Sequence, residues 1–133
     1  AVAAWTKSRI KAMKNSVGHF KGNIGVLING GSGSAAEIAA AALQDQINAP
    51  VVGSTSAGAV LVSVMSPLPG GFQLQFPIND FVTVSGYRLE GNGVKPLVEA
   101  SMPRRPTDAD EGIEKAAALL NRIALRNERG QKK

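Results

Sequence analysis

The chain has 133 residues and a mass of 13.8 kDa, which suffices for one domain with a modest core and is too little for two. It contains no cysteine, so disulfides, thiolate metal sites and a cysteine nucleophile are excluded. Charges, glycines or prolines interrupt every apolar run before the roughly 20 residues that a bilayer requires, so we expect no membrane span.

The formal net charge of +5 comes from the two ends of the chain. Residues 1–21 carry five bases and no acid, and residues 103–133 carry eight bases and five acids, whereas residues 22–102 carry two bases and five acids. Nucleic-acid binders place bases on the folded core with aromatic rings beside them, and only six aromatics occur here. We therefore expect no nucleic-acid partner and interpret the basic ends as solvated.

The first half of the chain predicts a helix followed by a βαβ unit. Residues 3–17 are typical of an amphipathic helix, and the apolar run at 23–29 (NIGVLIN) predicts a buried strand. A Gly-rich turn follows, and residues 34–48 (SAAEIAAAALQDQIN) form an alanine-rich helix that Pro50 ends. Val51 and Val52 begin the next strand, so we expect a parallel pair joined by a right-handed crossover.

The second half predicts short strands and a terminal helix. The strands are expected at residues 59–66, 71–78 and 81–84, with turns between them. Residues 103–133 form a tail whose helix runs from Asp108 to Arg126, with a buried stripe of Ile113, Ala117, Leu120 and Ile123. The fold class is therefore α/β, with a βαβ unit, short β-hairpins and a C-terminal helix. Residues 1–133 form a single domain or a fragment of one.

The most informative local feature is the strand that passes through a Gly-rich turn into a helix beginning at Ser34. Three interpretations are open. Ser34 and Glu37 fit the capping box S-x-x-E, in which the glutamate reaches back to the cap. The Ser34 hydroxyl is also well placed as a nucleophile, and the free N–H groups of the helix start favour an anion. The glycines match neither G-x-G-x-x-G nor a P-loop, so a nucleotide site is disfavoured.

The stretch VLINGGSGSAAEIAAAALQD resembles the nucleophile segment of the C-terminal processing (tail-specific) serine peptidases. APVVGSTSAGAV, SPLPGGFQLQFP and GYRLEGNGVKP resemble later segments of that family in unbroken order. The resemblance implies a Clp protease/crotonase-like fold, Ser34 as nucleophile and the Ala35 backbone N–H as an oxyanion donor. It also implies a peptide or protein substrate and no cofactor or metal. The chain would be the C-terminal part of a peptidase catalytic domain.

The chain departs from that pattern at the general base. The family's lysine is matched by Ala59, and no lysine occurs between Lys21 and Lys95, so a Ser-Lys dyad from this loop is excluded. The loop resembles instead the tricorn-core branch, which pairs the serine with an upstream histidine and with a glutamate. In that branch the glutamate lies in a second Gly-rich turn, here the one in GYRLEGNGVKP. Glu90 matches that glutamate.

The general base is not expected to be His19, the only histidine of the chain. It precedes the strand that leads to Ser34, and about seven residues of strand span roughly 23 Å, which places it at the opposite end. The family's Arg-x-Asn-x-Gly-Gly-like turn, which supplies a second oxyanion donor, has no counterpart either. The base and this donor are expected from the upstream part of the same domain or from another chain, and an oligomer is possible.

Two other functions compete with the peptidase. One is a non-catalytic relative that serves as a peptide-binding or assembly scaffold. The other is a crotonase-like acyl-thioester enzyme, which would bind coenzyme A. The sequence leaves the compartment open, although the resemblance suggests a bacterial cell envelope or secreted protein.

Overall fold

The computed structural model describes residues 20–130 except 102, 104, 106 and 107. The helix expected over residues 3–17 and His19 lie outside the described residues. The elements in chain order are β1 (Val26–Ile28), α1 (Ala35–Ile47), β2 (Val51–Gly53), β3 (Val62–Pro67), a 3-10 turn (Pro69–Gly71), β4 (Gln73–Asn79), β5 (Val98–Glu99) and α2 (Glu111–Gly130). This order of elements is mixed α/β, which confirms the predicted class at that level.

The central sheet has the strand order β1-β2-β5, and both pairings are parallel. Val26 is in register with Val51, and Val52 with Val98. The parallel pair predicted from the βαβ pattern is thereby confirmed. Strand β5 was not predicted, because its two residues follow a Gly- and Pro-containing segment and form no apolar run of their own.

The two helices cover opposite faces of this sheet. Ile28 and Val51 pack in the main core with Ala40 and Ala41 of α1. Side chains alternate along a strand, so Leu27 points to the other face. There its Cδ2 lies 3.6 Å from the position that a Cβ on Gly112 of α2 would occupy. The first turn of α2 therefore packs closely on the second face.

Helix α1 agrees with its prediction to within one residue at each end. Ala40 and Ala41 are almost fully buried, and their small side chains let the helix approach the sheet closely. Asn48 adopts the left-handed conformation, with φ 53, and stops the helix before the buried Pro50.

Helix α2 begins three residues later than predicted and ends later as well. Asp110 caps it, because its Oδ1 accepts a hydrogen bond of 3.1 Å from the Ile113 N–H. The predicted buried stripe is wrong in its first half: Ile113 is 55% exposed and Ala117 is exposed, whereas Gly112 and Ala116 are buried. The smallest residues of the helix face the sheet because the backbones come close together. Leu120 and Ile123 are half-buried, as the stripe predicted in part.

Strands β3 and β4 form an antiparallel hairpin, as predicted, with each strand shifted by one to three residues from its expected bounds. The Leu68 N–H donates to the Phe72 carbonyl at 2.8 Å and closes the turn. Every residue of β4 is exposed. The hairpin therefore has no packing layer of its own within the described part of the chain.

The strand predicted at residues 81–84 is wrong. Val82 makes one isolated antiparallel bridge with Arg88, and the Thr83 N–H donates to the Tyr87 carbonyl at 2.8 Å. The segment folds back on itself through Gly86, whose φ is +86. Its β-branched residues therefore lie in a local turn and pair with none of the strands described.

None of the helices described is long and apolar enough to cross a membrane.

Candidate functional site

Ser34 stands between β1 and α1, at the carboxyl end of a strand and at the N-cap of a helix. The turn before it is closed by the Ser32 N–H, which donates to the Asn29 carbonyl at 2.8 Å. Ser34 itself is exposed and has φ 56 and ψ −127, a backbone conformation that residues with a side chain rarely adopt. Such strain persists only where neighbouring contacts enforce it, and it is concentrated at functional sites.

Two acceptors hold the Ser34 backbone. Its N–H lies 2.9 Å from the Ala59 carbonyl oxygen and 3.1 Å from the Glu37 Oε2 atom. The next N–H, that of Ala35, has no hydrogen-bond partner among the residues described. An exposed serine is therefore followed directly by a free donor at the positive end of a helix dipole.

The Glu37 carboxylate is fully buried and organises the site. Its Oε1 accepts hydrogen bonds from the Ser56 hydroxyl (2.5 Å) and the Gly58 N–H (2.6 Å). Its Oε2 accepts from the Ala59 N–H (2.9 Å) and the Ser34 N–H (3.1 Å). Four donors thus converge on a side chain that the capping box had linked to Ser34 alone.

Hydrogen bonding decides the charge of this buried group. Burial by itself raises the pKa of Glu37, but the hydrogen bonds from Ser56, Ala59, Gly58 and Ser34 outweigh it and hold the pKa below the ordinary value of 4.5. All four donors favour the ionised form. The site therefore contains a permanent negative charge near neutral pH, directly behind the Ser34 backbone.

Ser56 joins this carboxylate to Val94, the residue that directly follows the second Gly-rich turn (residues 90–93). Its hydroxyl accepts a hydrogen bond of 2.7 Å from the Val94 N–H, and its own N–H donates to the Val94 carbonyl at 3.2 Å. Gly58 has φ +70, and a Cβ there would lie 2.9 Å from the Gly93 nitrogen. The Gly91 N–H also donates to the Gly58 carbonyl at 2.8 Å. The two loops are consequently locked together, and only glycine fits at their contact.

Glu90 binds the opposite side of the same loop. Its Oε2 accepts hydrogen bonds from the Val60 N–H (2.7 Å) and the Leu61 N–H (3.1 Å). The peptide group between Ala59 and Val60 therefore accepts from Ser34 through its carbonyl and donates to Glu90 through its N–H. The structure brings Ser34 and Glu90 to one loop, with a peptide group between them.

Ala59 occupies the centre of this arrangement through its backbone alone. Its N–H reaches Glu37 and its carbonyl reaches Ser34, while its exposed methyl side chain cannot take up a proton. The hydrogen bonds described around Ser34 involve no basic side chain. No cluster of three or more metal-ligating side chains occurs in the described ranges.

Sequence reasoning missed Ser56 and Gly58 as partners of Glu37. Three of the four Glu37 contacts come from residues 19 to 22 positions away, beyond the range of any local capping motif. Ser56 was not singled out, because a serine in the loop STSAG is indistinguishable from an exposed one until the fold buries it.

The sequence profile of Peptidase family S41 matches residues 4–100, most of the chain. The chain belongs to peptidase family S41. It is 36% identical over 78 residues to the carboxy-terminal processing protease CtpA of Bacillus subtilis, an overlap that covers 59% of this chain and 17% of the relative. It is 40% identical over 82 residues to the carboxy-terminal-processing protease of Bartonella bacilliformis, covering 60% of this chain and 19% of that protein. The S41 chain thus spans less than a fifth of the length of these curated relatives.

Solved structures of peptidases are similar to the S41 chain. The photosystem II D1 C-terminal processing protease superposes with a TM-score of 0.52 and 27% identity, covering 62% of this chain and 22% of that one. A putative peptidase from Parabacteroides merdae gives a TM-score of 0.61 over 80% of this chain and 34% of the other, at 24% identity, which bears on the fold alone.

Proposed function

We propose that this S41 chain carries the nucleophile segment of a serine peptidase, with Ser34 attacking a peptide carbonyl. The observation that carries the proposal is the backbone of Ser34, with φ 56 and ψ −127, in an exposed turn between a strand and a helix. A nucleophilic serine on a sharp, strained strand-to-helix turn projects its hydroxyl away from both elements, toward a substrate. Membership of family S41 supports the same chemistry.

The electrostatics of the helix start support the first step. When the Ser34 oxygen bonds to the carbonyl carbon, its proton passes to a general base and the carbonyl oxygen becomes an oxyanion. The partnerless Ala35 N–H and the dipole of the 13-residue helix α1 would stabilise that charge. The proton then goes to the leaving amine, and water releases the acyl group from Ser34.

The remaining catalytic groups are assigned by the resemblance. Glu90 would orient or polarise the base, and its carboxylate already binds the loop that contacts Ser34. The base itself and a second oxyanion donor would come from sequence upstream in the same domain or from another chain. We propose accordingly that residues 1–133 are the C-terminal part of a Clp protease/crotonase-like catalytic domain, with residues 103–133 as its helical tail. Its substrate would be a peptide or protein.

A second candidate is a non-catalytic scaffold that binds peptides or assembles with other chains. One observation favours it: Ala59, whose backbone touches the Ser34 N–H, has a side chain without a titratable group. In that case the Glu37 network would preserve the shape of the site without its chemistry.

A labelling experiment separates the two functions. A fluorophosphonate probe reacts with an activated serine, and the labelled peptide is then identified by mass spectrometry. The protein should be produced from its entire reading frame, so that every group the site needs is present. We expect label on Ser34, its loss in Ser34→Ala and its retention in Ser32→Ala, a matched control from the same turn. Absence of label from Ser34 would refute the peptidase proposal and leave the scaffold.

A further inference from the structure

A cavity of about 320 Å³ opens between the C-terminal half of α1 and the turns at residues 83–95. Its floor consists of Ala41, Leu89 and Val94, which are almost fully buried, and the half-buried Tyr87 lines it beside them. This volume equals that of about ten water molecules, since each occupies about 30 Å³ in the liquid. Concave sites with an apolar lining and a few polar groups are typical of small-molecule binding. The cavity is therefore large enough for a small organic ligand.

Hydrogen bonds hold the walls of this cavity in place. The Tyr87 hydroxyl donates to the Gly93 carbonyl at 3.1 Å, and the Tyr87 N–H donates to the Thr83 hydroxyl oxygen at 3.0 Å. On the helix side, the Gln44 Nε2 atom donates to the Lys95 carbonyl at 3.3 Å. The cavity is thus preformed, and a ligand would bind with little cost for ordering its walls.

Two opposite charges line the cavity without meeting each other. The exposed side chains of Asp45 and Lys95 both line it, and neither forms an ion pair or a hydrogen bond among the residues described. The other lining residues are uncharged near neutral pH, so the net charge of the lining is zero. A ligand with a single charge would meet one attracting and one repelling group, whereas a zwitterion meets an attracting group at each end.

The position of Asp45 gives an independent reason to expect a cationic group. Asp45 lies in the last turn of α1, where the free carbonyl groups carry partial negative charge. Helices favour basic residues in that turn, and α1 has none there. The Asp45 carboxylate therefore adds to the negative charge of the helix end, and a bound ammonium group would relieve it. Such departures from local preference are expected at functional sites.

We propose that this cavity binds a dipeptide with free termini and apolar side chains. The ammonium group pairs with Asp45 and the carboxylate with Lys95, while the side chains pack against Tyr87 and the apolar floor. An extended dipeptide spans roughly 7 Å, so it reaches two charges that do not contact each other. Ser34 does not line the cavity, so this binding site goes beyond the proposed function and does not depend on it.

Isothermal titration calorimetry with valyl-leucine tests the site. The protein is Ser34→Ala, produced from its entire reading frame, so that the ligand is not hydrolysed. We expect a Kd on the order of 0.1–1 mM, as is usual for a ligand of this size. Glycyl-glycine, which has no side chains to bury, should bind at least roughly tenfold more weakly. Equal affinity of the two dipeptides would overturn the inference, and so would no binding of valyl-leucine, which would mean that the site is not open to it.

Blocked ligands and charge-removing variants test the role of the two charges. N-acetyl-valyl-leucine lacks the ammonium group and valyl-leucinamide lacks the carboxylate. We expect each to bind about threefold to fivefold more weakly, the upper range for an exposed ion pair. Asp45→Asn should weaken valyl-leucine by the same factor and leave the acetylated ligand unchanged, because the pair is already absent. Lys95→Gln should weaken valyl-leucine likewise and leave the amide unchanged.

Glu114→Gln and Lys21→Gln are the matched controls, since both residues are exposed and neither lines the cavity. They should leave the affinity for valyl-leucine unchanged, and circular dichroism of all four variants verifies the fold. Binding that neither Asp45→Asn nor Lys95→Gln alters would place the dipeptide elsewhere and overturn the inference.

The outcomes are independent of those of the labelling experiment. Label on Ser34 without dipeptide binding would keep the peptidase and refute the cavity as a site. Dipeptide binding that depends on Asp45 and Lys95, without label on Ser34, would keep the cavity and refute the peptidase.

Discussion

Removing the charge of Glu37 should destabilise the protein, because one buried carboxylate accepts four hydrogen bonds. In Glu37→Gln an NH₂ group replaces one carboxylate oxygen and then faces two donors, either Ser56 with Gly58 or Ser34 with Ala59. Two hydrogen bonds to a charged acceptor are lost, each worth about 1.5–3 kcal/mol, while the neutral amide is cheaper to bury. We expect the free energy of unfolding to fall by about 3 kcal/mol.

Urea unfolding followed by circular dichroism at 222 nm measures this change. The matched control is Glu114→Gln, which makes the same chemical change at an exposed glutamate on α2 and should leave the unfolding midpoint where it was. A loss below about 1 kcal/mol in Glu37→Gln would refute the assignment of Glu37 as the centre of the network.

The same carboxylate predicts how stability depends on pH. Its pKa in the folded protein is lowered below the ordinary 4.5, so the unfolded chain binds more protons in the acid range. The stabilisation is fully present above pH 4.5 and is lost as pH falls through the folded pKa. Asp80 and Glu111, whose pKa values are lowered by Arg88 and Lys115, titrate both in the unmodified protein and in Glu37→Gln. Their contribution therefore cancels when the two proteins are compared. Stability should therefore fall more steeply with acid in the unmodified protein than in Glu37→Gln, and equal slopes would contradict the prediction.

Three further changes test the loops around Ser34. Ser56→Ala removes a donor to Glu37 and an acceptor for the Val94 N–H, so we expect about 2 kcal/mol lower stability in the same urea assay; no change would show that water replaces the hydroxyl. Gly58→Ala should lower the free energy of unfolding by at least about 1 kcal/mol, since the φ of Gly58 is +70 and a Cβ there would meet Gly93. Gly30→Ala serves as the control, because a Cβ at Gly30 has open space. Equal stabilities of the two variants would contradict the loop contact. Ala59→Lys places an amine on a residue whose backbone is fixed beside Ser34. We expect fluorophosphonate labelling of Ser34 to accelerate roughly 100-fold, as for general-base catalysis. An unchanged labelling rate would mean that the amine does not reach the Ser34 hydroxyl.

The sequence predicted the parts of the fold that depend on neighbours along the chain. The alanine-rich helix, the Gly-rich turn and the two valine-containing strands form the βαβ unit expected of them, since propensity and periodicity act within a few residues. The strand expected at residues 81–84 failed for a related reason. Its β-branched residues have strand propensity, but Thr83 pairs with Tyr87 in a local turn, and none of the strands in the described part of the chain pairs with them.

The face that α2 turns toward the sheet could not be predicted from the apolar pattern of the helix. A stripe through Ile113 satisfies helical spacing, yet the helix turns Gly112 and Ala116 to the sheet. How closely a helix approaches its sheet depends on the residues on the sheet, here Leu27, and these are remote in sequence.

For the site, the sequence alone determined that a serine stands at the start of a helix with a glutamate three residues later, because both lie within one turn. Only the tertiary structure decided what that glutamate does. The fold buries Glu37 and brings Ser56, Gly58 and Ala59 to the oxygens of its carboxylate. It also places Glu90 opposite Ser34, with the Ala59–Val60 peptide group between them. These contacts join residues 19 to 30 positions apart, and a buried charge is stable only where the whole fold delivers its donors.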